Sequence, residues 1–201
     1  MNNYPVNTTG ILCKSKILAI GWPDPPEYDK ITELRNRGNT RKWFFDTQEV
    51  SSIENRIWIE SGCNRPKESI LSIRLIKDNT FLGTVGWTNW DLEMRTANFG
   101  RLAVDLSKIK QLVSLFPPDY PGVAIDACLT MRDFGMTTMQ LNTIITFLKA
   151  DNFMAKKVNE SIGMKEVRRY NKAGSDGIPV ETIEMRLTRK EWESNFKKIK
   201  I

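Results

Sequence analysis

Histidine is absent from all 201 residues, which removes the Ser-His-Asp and Cys-His arrangements and the commonest metal ligand. Cysteine is scarce. Cys13, Cys63 and Cys128 are odd in number, far apart and without a CxxC pair, so neither a disulfide framework nor a zinc site is indicated, and no metal is expected. No apolar run approaches the roughly 18 residues of a membrane helix, and MNNYPVNTTG lacks the basic-then-apolar pattern of a signal peptide. The expectation is a cytoplasmic protein that stays off the membrane. Proton transfer is left to carboxylates, tyrosines, waters or the termini.

What is present describes a globular chain, with 40% apolar and 27% charged residues in 23.2 kDa, enough for one sizeable core. The net charge of +6 and pI near 9.2 favour anionic partners, either nucleic acid or a phosphorylated cofactor. The basic residues are spread along the chain, however, and do not interleave with aromatics along one strand, which argues against a nucleic-acid partner. Their one dense cluster is KKIKI, Lys197 to Ile201. The expected organisation is a flexible lead over 1–15, a single domain over 16–196 and a basic tail over 197–201.

Periodicity then sets out the elements. A first strand is expected at Lys16 to Gly21, halted by the prolines of Trp22 to Pro26. Ile31 and Leu34 sit three apart among charges, which is helix spacing, and Ser51 with Glu54 supplies the start of a second short helix. Leu71, Ile73 and Leu75 alternate with polar residues, Lys77 to Thr80 is a turn, and Phe81 to Trp87 returns as the partner strand. Thr96 opens a further strand. A helix from Ala124, a strand at Met139 to Ile145, a helix from Asp151 to Gly163, a hairpin of Glu166–Tyr170 with Thr182–Leu187, and a closing helix complete the order. Cys128 falls on the core stripe of the helix from Ala124. The connection from Asn171 to Pro179, rich in Gly, Ser and Asp, reads as mobile. The class is α+β.

Two features of the middle stretch carry chemistry. Gly100 interrupts a well-patterned strand, which suggests a bulge or a close backbone approach. Asp119-Tyr120-Pro121-Gly122-Val123-Ala124 then leads into a helix whose first amides form an anion site. Further on, Asn152, Ala155, Val158, Asn159 and Gly163-Met164 have the spacing N-x-x-A-x-x-L-Y-x-x-x-G-F. That spacing resembles the GNAT N-acetyltransferases, as does the order of elements from about Lys16 onward.

The resemblance implies a mixed, mostly antiparallel sheet of about six to seven strands, splayed in the middle and flanked by helices. It implies acetyl-CoA as acyl donor and a small-molecule amine as acceptor, the amine attacking acetyl-CoA directly. Leu102, Ala103 and Val104 then pair with the pantetheine arm, the Val104 amide polarising the thioester carbonyl. Tyr120, Gly122, Val123 and Ala124 hold the pyrophosphate, although the family's Q/R-x-x-G-x-G/A begins here with Asp119, and Pro121 offers no amide. Asn152 and Lys156 complete the cofactor contacts. Asn159 stands where many members place an acidic tyrosine, so thiolate release falls to water or to dipoles. Glu93 and Asp91 precede the splayed strand as base candidates, and Asn98 on it orders a water that deprotonates the amine.

Trp43 and Phe44, in the aromatic loop before the second helix, and Trp87 are the acceptor-pocket candidates. ELRN and WFFDTQEVSSIENRIWI resemble members acting on amino sugars and also the ribosomal-protein-acetylating branch. An amino sugar or similar amine is the favoured acceptor. Acetylation of a protein N-terminus and a non-catalytic acyl-CoA-binding module are the alternatives, and a homodimer is left open.

Overall fold

The computed structural model describes residues 10–61, 67–91, 93–174 and 177–195; most of the lead, Cys63, part of the Asn171–Pro179 connection and the basic tail lie outside them. One eight-stranded sheet runs through the molecule in the order β1-β2-β3-β4-β5-β6-β8-β7. The strands are β1 (Ile11–Lys14), β2 (Leu18–Gly21), β3 (Leu71–Leu75), β4 (Phe81–Asp91), β5 (Thr96–Val104), β6 (Thr143–Lys149), β7 (Lys165–Ala173) and β8 (Pro179–Thr188). All neighbours pair antiparallel except β5 and β6. The α+β class stands, with eight strands rather than six or seven, because Ile11–Lys14 in the expected lead pairs with β2.

Seven helices cover the two faces: α1 (Tyr28–Asn36), α2 (Gly38–Arg41), α3 (Ser52–Glu60), α4 (Leu106–Gln111), α5 (Val123–Thr137), α6 (Phe153–Ser161) and α7 (Arg189–Asn195). None of the described helices is long and apolar enough to cross a membrane. Trp87, Phe99, Met131, Leu141, Ile144, Ile162 and Trp192 share the larger core, on the face of α5, α6 and α7. Ile31, Leu34, Ile59, Phe81 and Ala103 form a smaller one under α1 and α3. Helix α3 starts as its sequence indicates: Glu54 N donates to Ser51 Oγ at 3.2 Å and Ser51 N donates back to Glu54 Oε2 at 3.3 Å.

Two segments differ from the sequence pattern. The strand expected at Met139 to Ile145 lies four residues later, because Met139 and Leu141 are apolar plugs of the core in the α5–β6 connection. Strand β8 is central rather than half-exposed: Thr182 and Glu184, on its polar side, are buried. Glu184 is tolerated there because Arg168 Nε and Arg186 Nε each donate to it at 2.6 Å. Burial opposes its charge, but the two guanidiniums prevail and its carboxyl stays below the usual range.

Candidate active site

Strands β5 and β6 pair only over Thr96–Thr143, Ala97–Ile144 and Asn98–Ile145. Beyond Asn98 they part: β5 continues to Val104 on β4 alone, and β6 to Lys149 on β8 alone. A bulge accompanies the parting. Thr84 faces Ala103 and Gly86 faces Gly100, so Val85 opposes two residues, Arg101 and Leu102. The residue that absorbs the extra length is Arg101, at φ 55, and not Gly100, whose φ is ordinary. The bulge reverses the side-chain phase of the strand. Ala97 and Phe99 point into the larger core with Leu102 and Val104, while Ala103 joins the smaller core on the opposite face.

The phase of the ladder decides where the Val104 amide points. Asp105 N donates to Leu82 O at 2.8 Å, so the preceding pair, Gly83 with Val104, lies between ladder bonds and turns its own N–H and C=O outward. For Val104, outward is the side that β6 has left. Gly83 is required here, since a Cβ would meet Ala103 O at 2.2 Å.

Helix α5 runs back from the open ends of β5 and β6 to the start of β6, which puts its N-terminus at the opening. Its N-cap is Gly122 at φ 99, with no side-chain cap on the first-turn amides. A Cβ on Gly122 would meet nothing within 4 Å, so the space in front of those amides is open. Asp119 is exposed and caps nothing. Tyr120 stacks on Phe116, centroids 4.8 Å apart, and donates to Asp126 Oδ2 at 3.0 Å, as Ser15 Oγ does at 2.8 Å. Burial and then the Asp126 charge push the Tyr120 phenol well above its ordinary value, so Tyr120 anchors the loop to the helix start and is no proton donor.

Helix α6 follows β6 at the same open end. Asn152 is its N-cap, accepting from Ala155 N at 3.1 Å. Asn159 is buried and donates to Ala155 O at 2.8 Å. Lys156 is held by Glu166 at 2.7 Å, so its charge is already matched rather than available to a phosphate. Lys157 is exposed.

On the opposite face of β5 a cavity of about 780 Å³ opens, reaching Thr84, Arg101 and Ala103 on the strands. Its walls include Phe44, Phe45 and Trp58, with Arg35 from α1 and Glu68 before β3. Arg101 stacks on Trp58 at 4.6 Å and donates to Glu68 Oε2 at 3.3 Å. The loop that supplies Phe44 to Val50 to the wall is tied to the sheet: Lys149 Nζ donates to Lys42 O at 2.8 Å, and Lys172 Nζ lies 4.6 Å from the Phe45 ring centroid.

The structure brings Leu102, Val104, Gly122, Val123, Ala124 and Asn152 to one opening, and puts Asn98 at the vertex where the strands part; Ala103, expected there, is paired with Thr84 and turns its side chain to the opposite face. Other expectations need correction besides those for Lys156 and Ala103. Trp87 is fully buried, 5.2 Å from Phe99 and packed against Gly135, so it is core and not pocket. Trp43 is outside the cavity lining and lies beside Lys42, leaving Phe44 as the expected ring that lines it. Glu93 sits in the turn at the closed end of β5, roughly 25 Å from Val104 at about 3.3 Å per residue, too far to take a proton there. Arg35, Trp58, Glu68 and Arg101 escaped the sequence pattern. Only Gly100, one residue away, hinted at Arg101.

No protein-family model and no curated protein sequence matches the chain. Solved structures do. A GNAT-family acetyltransferase from Bacillus anthracis superposes with TM-score 0.72 at 16% identity, over 89% of this chain and 98% of that one. Spermidine N-acetyltransferase from Vibrio cholerae, in complex with CoA and spermine, gives 0.73 at 15% over 87% and 97%. A GCN5-related N-acetyltransferase from Brucella melitensis gives 0.71 at 12% over 94% and 82%. With its parted β5 and β6, bulged β5 and helix start at the opening, the chain has the GNAT fold.

Proposed function

We propose that the chain is an N-acetyltransferase that moves the acetyl group of acetyl-CoA to the primary amine of a small acceptor, an amino sugar or similar compound. The observation that carries this reading is the outward Val104 amide beside the gap left by β6. An amide fixed there stabilises the oxyanion that develops on the thioester carbonyl, and in comparable sites such a donor contributes about 3 kcal/mol. The uncapped amides of Val123 and Ala124 suit the pyrophosphate, with the α5 dipole behind them. The fit is good because nothing fills the space before Gly122.

The acceptor enters from the other face, through the cavity that ends on Ala103. Its neutral amine attacks the carbonyl carbon; the C–N bond forms, the C–S bond breaks, the amine loses a proton to water, and the thiolate takes one from water. Asn159 supplies no proton. Positioning and the strand amide therefore provide most of the rate. Support also comes from the likeness to acetyltransferases, one of them bound to CoA and a polyamine. The test is a thermal-shift titration with acetyl-CoA followed by thiol detection over a panel of amines. Stabilisation by acetyl-CoA and thiol release with a small amine are expected. Stabilisation with no release for any amine, or release only with a protein N-terminus, would replace this reading.

A further inference from the structure

The charges around the acceptor cavity are not equally satisfied. Glu49 is paired with Arg41, Glu68 with Arg101, and Glu54 with the Ser51 hydroxyl and amide. Asp46 is exposed and accepts the Gln48 amide in a tight turn. The carboxylates therefore have partners or water. Arg35 does not. Its Nη2 donates to a backbone carbonyl, Asp46 O, at 2.8 Å, and its guanidinium lies 4.9 Å from the Phe44 ring centroid. Its Nη1 is buried with no hydrogen-bond partner, and among the described residues no carboxylate pairs with it.

A guanidinium nitrogen buried without an acceptor is unfavourable, and each such unpartnered group in a native protein calls for a cause. Burial lowers the pKa of Arg35; the nearby Asp46 charge opposes that shift, and Arg41 adds a smaller like-charge effect. The bland cause is structural: Arg35 is in the last turn of α1, where a cation suits the dipole, and it ties down the loop at Asp46. That accounts for Nη2 and leaves Nη1 unexplained.

We propose that the acceptor is a primary amine that also carries an anionic group, a phosphate or a carboxylate, and that Arg35 binds that group from the cavity wall. The proposal rests on the acetyltransferase reading for the amine, but its anion-binding part is separable. A guanidinium in this setting adds a charge-assisted bond to any oxyanion within reach, and its fork suits both phosphate and carboxylate. It also predicts that a polycationic amine is a poor acceptor here, in contrast to what the polyamine-bound neighbour would suggest.

The experiment compares matched acceptors: glucosamine 1-phosphate against glucosamine, and leucine against leucine amide, with spermidine as the cationic member. A preference in kcat/KM of about tenfold or more for the anionic member of at least one pair is expected, carried by KM, and the pair that shows it identifies phosphate or carboxylate. Arg35→Gln keeps a donor for Asp46 O and removes the charge, so the preference should collapse toward unity. A purely structural role would lower both members alike. Arg35→Lys restores part of the preference and serves if the Gln variant does not fold. Calorimetry with glucose 1-phosphate and N-acetylleucine, which cannot be acetylated, reads anion binding without turnover. Arg35-dependent binding there supports the inference even if no amine is acetylated. Turnover of amines with no anionic preference, or a preference that survives in Arg35→Gln, would overturn it.

Discussion

The two faces of β5 are made of different things. Toward α5 and α6 the candidate site is backbone: the Val104 amide, the first-turn amides of Val123 and Ala124, and a glycine that leaves space before them. Toward α1 and α3 it is side chain: Phe44, Trp58, Glu68, Arg101 and Arg35 around a cavity. A backbone site needs only that strands part and a helix start in the right place, which many sequences satisfy. That is how structures about 15% identical keep the same fold. A side-chain site, by contrast, changes with every substitution in its lining.

The comparison can be broken at its hinge first. Gly83→Ala sets a Cβ at 2.2 Å from Ala103 O, forcing β4 off β5 and disturbing both faces together. A loss of about 2 kcal/mol or more in denaturant unfolding is expected; an unchanged midpoint would mean that the strands yield freely.

Val104→Pro should strike the backbone face alone. Its N–H lies outside the β4 ladder, so proline removes the oxyanion donor without removing a ladder bond. Thiol release should fall about 100-fold or more with circular dichroism unchanged, and a fall below tenfold would place the oxyanion elsewhere.

Gly122→Ala is milder. Space is open there, but φ 99 strains any side chain, so acetyl-CoA affinity should drop by roughly fivefold, about 1 kcal/mol, in calorimetry.

A pH test probes stability away from both faces. Glu191 accepts from Lys165 Nζ, Thr188 N and Thr188 Oγ, and the lysine above all lowers its carboxyl from 4.5 to about 2. A depressed carboxylate stabilises the fold above its unfolded value, and that contribution is lost as pH falls through the window from about 4.5 to 2. Glu191→Gln should flatten the decline of the melting temperature in that window, and parallel curves would refute the assignment.

The smallest effect is expected at Glu93, at the closed end of β5, where Glu93→Gln should alter turnover by less than about twofold.

The same division runs through what could be read from the chain. Asn152 and Gly163 mark the ends of α6 by local chemistry, and Ser51 with Glu54 opens α3 as a capping box. Those are short-range effects, legible within a few residues. Leu106–Gln111 became a helix without a readable apolar stripe, capped by Asp105 through Lys108 N at 3.1 Å. Trp87, expected to line a pocket, is held in the core by Gly135, whose missing side chain makes room for the indole from 48 residues away in sequence.

By itself the sequence determined the α+β order and the helix ends, because propensity, capping and hydrophobic period act between near neighbours. Only the tertiary structure decided which residues line the cavity under α1 and α3. One left-handed residue, Arg101, shifts the phase of β5 by a single step, sending Leu102 and Val104 to one face and Ala103 to the other. No periodicity announces that shift, since the partner that makes it favourable is the parted sheet itself.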